Sequence, residues 1–143
     1  MVRPDKVEGK LENLREYVQK LTHLASLERK EFLSDFTKIE SAKHLFQVSV
    51  ECCIDVSNHI IASERFRPPK TYAEALEILG EQGILANEFL PTLRLMVQFR
   101  NRLVHLYWAV DAEVIYDILQ RNLEDFETFT KHILKYLSAH EKD

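Results

Sequence analysis

The stretch from about Lys38 to Glu64 constrains the fold more than any other part of the chain. Leu45, Phe46, Val48, Val50, Cys52, Cys53, Ile54, Val56, Ile60 and Ile61 follow one another without a Gly or Pro, and they point in nearly every direction around a helix axis. A helix that is apolar on all sides has to be surrounded by other elements. Three glycines and four prolines among 143 residues leave little room for hairpin turns, so the surrounding layer is expected to be helical as well. The expected class is all-α, an antiparallel bundle of four main helices with short additional ones, formed by a single domain over residues 1–143.

The flanking sequence supplies that layer. Val7, Leu11, Leu14, Val18 and Leu21 make a helical stripe from about residue 5 to 25, with Lys, Glu, Asn and Gln on the other face. Leu27, Phe32, Leu33 and Phe36 suggest a short second piece. Pro68 and Pro69 stop the central helix after Arg65. Thr71 with Glu74 forms a capping box that opens a short helix to about Leu79, and Gly80 and Gly83 are expected to close it. Asn87 reads as the cap of the next helix, with Pro91 in its first turn. Asp111 caps a last long helix with the stripe Ile115, Ile118, Leu119, Phe126, Phe129, Ile133 and Leu137, and a tail expected to fray from about Ser138.

Charge and composition narrow the function. A net charge of −4 argues against indiscriminate nucleic-acid binding, yet Arg94, Arg100, Arg102 and His105 lie close in sequence, and Arg65, Arg67 and Lys70 form a second basic cluster in a loop. No apolar run approaches the roughly 20 residues that span a bilayer, and the N-terminus has no signal-peptide core, so no membrane association is expected. Cys52 and Cys53 diverge by about 100° on a helix and are expected to be buried, reduced thiols, which fits the cytoplasm.

Polar residues stand out on the central helix. Glu40, His44, Glu51, Asp55 and His59 fall on one face. A line of metal ligands is one reading, but carboxylate-bridged bundles need a Glu-x-x-His pattern on each of two helices and the chain has none, so no metal is expected. The other reading is a polar seam facing solvent, a subunit interface or a cleft around Arg100, in which Glu51 or Asp55 pairs with that arginine.

Arg100 is itself an exception. Phe89, Leu93, Met96, Arg100 and Leu103 share one face of a helix, and only the arginine is charged. It needs either an ion-pair partner or a water-filled cleft. His105 follows five residues later, which on a continuous helix turns it about 140° away. The two side chains converge only if the helix ends near Leu103 or if they meet across a subunit interface. Tyr107, seven residues from Arg100, would share its face.

The run Arg100-Asn101-Arg102-Leu103-Val104-His105-Leu106-Tyr107 resembles the Arg-Asn-x-x-Val-His-x-Tyr signature of HepT-like toxins, a branch of the HEPN superfamily. The resemblance extends over Cys53–Ala62 and Pro69–Ala75 and covers most of the chain. It implies a homodimer whose two motifs line a shared cleft and cleave RNA without metal or cofactor. In such a cleavage the 2′-hydroxyl attacks the adjacent phosphorus, a base takes its proton, an acid supports the leaving oxygen and a cation stabilises the phosphate. His105 is the candidate for proton transfer, since a histidine ordinarily titrates near about 6.5, and Arg100 the candidate for the phosphate. Asn101 is a candidate to orient His105 or the backbone, or simply a helix C-terminal residue, and Arg102 a second phosphate contact. The resemblance further implies that the antitoxin is an MntA-like nucleotidyltransferase that adenylylates Tyr107. Superfamily members also occur as non-catalytic partners, so a nucleotide- or substrate-binding role beside a small nucleotidyltransferase is the alternative.

Overall fold

A computed structural model describes residues 2–141. Seven α-helices follow in order: α1 (Pro4–Ala25), α2 (Arg29–Leu33), α3 (Phe36–Glu64), α4 (Tyr72–Glu81), α5 (Leu90–His105), α6 (Ala112–Arg121) and α7 (Glu124–Glu141), with 3-10 turns at Asn87–Phe89 and Tyr107–Ala109. Among the described residues there is no strand.

The apolar stretch forms α3, and α1, α2, α4, α5 and α6 all pack on it. Asp35 starts it by accepting from the Thr37 N–H at 2.9 Å. It ends in a left-handed Arg65 (φ 58°), where the Phe66 N–H reaches back to the Ile61 carbonyl at 3.0 Å. Phe46, Val50, Cys53, Ile54, Val56 and Ile60 are buried along its length. Each large apolar side chain so enclosed contributes about 1.5–3 kcal/mol. Burial also pushes the Cys52 thiol up to about 11 and Cys53 well above its ordinary value, which keeps both protonated and unreactive at neutral pH.

The helix starts follow the local chemistry. Thr71 accepts from the Glu74 N–H at 3.0 Å and Asp111 from the Glu113 N–H at 3.0 Å. Four expectations change. Gly80 does not end α4 but lies within it, where a Cβ would come 2.7 Å from Leu90 Cδ1, so glycine leaves room for that side chain of α5. Gly83, at φ +74°, makes the turn. Asn87 does not cap α5, since it opens a 3-10 turn and Phe89 takes the capping position. The last helix is broken: Asn122 closes α6, its side-chain amide donates to Asp125 Oδ2 in the first turn of α7, and its backbone carbonyl accepts from the Asp125 N–H. Finally, α7 continues past Ser138 to Glu141, held where His140 lies 3.8 Å from Glu64 and 4.1 Å from the Tyr136 ring centroid. Residues 142 and 143 of the expected tail lie outside the described residues.

Side chains from α6 secure the far end of the bundle. The Tyr116 hydroxyl donates to the Leu27 carbonyl and the Gln120 amide to the Ala25 carbonyl, both at 2.8 Å, while Arg29 pairs with Glu113 and Asp117. No helix among the described residues is long and apolar enough to cross a membrane.

Candidate active site at the end of α5

The inner face of α5 carries Leu93, Val97 and Leu103 into the core, and Arg100 goes in with them. Its side chain is only 14% exposed. Its Nη2 and Nε both donate to Glu51 Oε2, at 2.7 and 3.0 Å, and its Nη1 donates to Asn101 Oδ1 at 3.1 Å. The Tyr72 ring, at the start of α4, lies with its centroid 5.1 Å from the guanidinium carbon. The charge is thus matched by a carboxylate, an amide and an aromatic face.

Of the two seam carboxylates offered as partners for Arg100, Glu51 holds it and Asp55 does not. Asp55 faces α1, where Lys10 lies 3.3 Å away at the surface. His59 is likewise turned to the N-terminus and accepts from the Arg3 backbone N–H at 3.4 Å. The seam is therefore divided between two neighbours, and Asp55 sits outside the group around Arg100. Among the described residues, no three His, Cys, Asp or Glu side chains gather as a metal site would require.

Instead of ending near Leu103, α5 runs on through His105, and the Leu106 N–H still closes onto the Arg102 carbonyl at 2.8 Å. Leu103, 1% exposed, anchors this last turn, and Arg102 and His105 suit the negative end of the helix. The consequence is geometric: Leu95, Gln98, Arg102 and His105, at spacings of three, four and three, form the outer face of the helix and are exposed. Within one chain Arg100 points inward and His105 outward. Neither the Arg102 nor the His105 side chain has a hydrogen bond or ion pair among the described residues, so both are open to an external group.

After His105 the chain makes its 3-10 turn, and here the structure adds a residue that the sequence reading missed. Lys43 of α3 is 7% exposed. Its Nζ donates to the Tyr107 carbonyl at 3.3 Å and lies 4.5 Å from the centroid of the Tyr107 ring. No carboxylate pairs with it among the described residues. A signal existed: Lys43, Phe46, Val50 and Cys53 recur at three, four and three, so the lysine stands on a buried stripe as Arg100 does. Trp108, beside Tyr107, is 79% exposed.

Two of the other cations in the basic clusters are already paired. Arg67 is clamped by Glu81 and Glu74 at 2.6 and 3.0 Å, and Arg94 by Glu77 at 2.8 Å. The side chains of Arg102, Arg65 and Lys70 have no carboxylate partner among the described residues, although the Lys70 backbone N–H donates to Glu74 Oε1 at 3.1 Å. The end of α5 thus combines a fixed guanidinium, an open imidazole, an open arginine and a tyrosine held by a buried lysine.

Comparison with known proteins bears on the chain as a whole. The HepT-like ribonuclease family profile matches residues 11–133. The chain is 30% identical over 99 residues to the mRNA nuclease HepT of Shewanella oneidensis, covering 69% of this chain and 74% of that protein. It is 25% identical over 142 residues to the tRNA nuclease HepT of Aphanizomenon flos-aquae, covering 99% and 97%. The fold is similar to that of the tri-AMPylated HEPN toxin of Shewanella oneidensis solved in complex with MNT antitoxin: TM-score 0.83 at 25% identity, over 90% of this chain and 96% of that one. The chain belongs to the HepT-like ribonuclease family.

Proposed function

We propose that this chain, acting as one domain, is the toxin of a HepT–MntA-type pair and an RNA endonuclease that needs no metal. The observation that carries the reading is the division of labour at the end of α5: Arg100 is fixed from inside by Glu51 and Asn101, while His105 stands open on the outer face. His105 exchanges protons with the 2′-hydroxyl or the leaving 5′-oxygen, Arg100 lends its charge to the phosphate, and Arg102 provides a second phosphate contact. The P–O5′ bond breaks as the 2′-oxygen bonds to phosphorus, leaving a cyclic phosphate and a 5′-hydroxyl. One imidazole does not serve as base and acid in a single step. A two-fold homodimer joined through the outer face of α5 supplies the second, and the exposed Leu95 and Trp108 on either side of His105 give such a contact its apolar surface.

Tyr107 is the site at which an MntA-like nucleotidyltransferase adds AMP. The modified state of the Shewanella toxin supports this. The added phosphate and nucleoside fill and neutralise the cleft. The test is incubation with defined RNA in EDTA, reading the cleaved ends beside a His105→Ala control. Cyclic-phosphate ends that vanish in the control are expected. RNA left intact by protein whose Tyr107 is shown by mass to be unmodified would sink the ribonuclease assignment. It would favour a nucleotide-binding role.

A further inference from the structure

A cleft of about 510 Å³ opens beside Arg100, between the α3 residue Asn58, the start of α4 at Lys70–Tyr72, and Asn101 of α5. Its contents differ from the rest of the surface. Tyr72 is 46% exposed although Arg100 lies over its ring, so an aromatic surface backed by a guanidinium remains open. Asn101 spends its oxygen on Arg100 Nη1, which leaves its two amide N–H donors. The Asn58 amide makes no hydrogen bond among the described residues, so it offers both donors and an acceptor. Lys70 has no ion pair among the described residues, in contrast to its neighbour Arg67, which is held by two carboxylates.

We infer that this cleft is a nucleobase subsite, which takes an unpaired base of the RNA next to the scissile phosphate. The inference rests on the ribonuclease reading and specifies what that site selects. A ring and two amides suit a base: the π-face stacks, and a carboxamide reads adjacent donor and acceptor atoms on a base edge. A base has a free face and edge only in single-stranded RNA, so the substrate is a loop or an end rather than a duplex. Lys70 at the rim suits the phosphate that follows. The Tyr72–Arg100 contact places this base one side-chain layer from the guanidinium assigned to the reaction, so Tyr72 and Asn58 select substrate and take no part in proton transfer.

The experiment is cleavage of a single-stranded RNA library with a randomised stretch, reading the nucleotides on both sides of each cut. Parent protein is compared with Tyr72→Leu, Tyr72→Phe and Asn58→Asp, each with a melting curve. Tyr72→Leu is expected to raise KM about tenfold and flatten the base preference at one flanking position, with the cyclic-phosphate ends kept. Tyr72→Phe is expected to restore both. Asn58→Asp, which exchanges amide donors for an acceptor, is expected to change which base is preferred. A parent that cleaves while the Leu and Asp variants keep its KM and its profile overturns the subsite alone. A parent that cleaves nothing overturns the ribonuclease reading and the subsite with it.

Discussion

Arg100 and Lys43 enter the bundle from two helices that pack on each other, and the surroundings of the two charges differ. Arg100 meets a carboxylate, an amide and a ring. Lys43, which is more deeply enclosed, meets a backbone carbonyl and a ring and, among the described residues, no carboxylate. A buried charge that loses its counterion is costly, whereas a buried charge replaced by an apolar side chain of similar size often costs nothing. The first cation is therefore part of what holds α5 against α3. The second chiefly fixes one turn, the one that carries Tyr107. The contrast teaches that burial alone does not say what a charge is for; the partner does.

The largest effect should come from a residue in neither network. His105→Ala is expected to lower RNA cleavage by about 10²–10⁴-fold with an unchanged melting temperature, since the side chain is exposed and unpaired. A variant that keeps full activity would move the chemistry to the buried side. Next is Glu51→Ala, which strands Arg100. It should cost about 2–3 kcal/mol in urea unfolding, and Glu51→Gln should cost less because it keeps an acceptor. Lys43→Met is the matched test and should fall within about 1 kcal/mol of the parent. Equal losses for Glu51→Ala and Lys43→Met would break the contrast. The lysine variant should instead show several-fold faster hydrogen exchange at the Ala109 amide, which bonds to Leu106 within the turn.

The smallest effect is on the alkaline side. The Cys52 thiol is raised from its ordinary 9.0 to about 11 by burial. Above pH 9 the unfolded chain loses this proton before the folded one, so stability falls as pH rises, by at most about 1.4 kcal/mol per pH unit for each such thiol. Melting at pH 8 and pH 10 checks this, and Cys52→Ala should show the shallower decline.

Much of the bundle was legible because its signals are local. Pro68 and Pro69, Thr71 and Asp111 act on the residues beside them as expected, although the Glu74 carboxylate accepts from the Lys70 N–H rather than closing the capping box on Thr71. The break at Asn122 was hidden for a physical reason: Leu119 and Phe126 are seven apart, so the apolar stripe keeps its phase across a helix that does not continue. Gly80 was misread because a glycine near a helix end suggests a cap, while its actual neighbour, Leu90, belongs to another helix. Around Arg100 the sequence offered Glu51 and Asp55 as partners on one face and could not choose. Lys10, forty-five residues from Asp55, made the choice. Lys43 went unnoticed because a lysine ordinarily reads as surface and its partner is sixty-four residues away.

The attachment of α6 has one more consequence. Tyr116 and Gln120 moor that helix to the chain around Ala25 and Leu27, and Leu103 and Arg100 moor α5 to the core. The six residues from Leu106 to Asp111 are strung between these two fixed points. Such a span tolerates new side chains more readily than a new length. Surface connections usually absorb an extra residue at little thermodynamic cost, and this one should too. The bundle would still fold, but the slack would lift Tyr107 out of register with Lys43, so that the length of this span, more than its sequence, sets where the Tyr107 ring is presented.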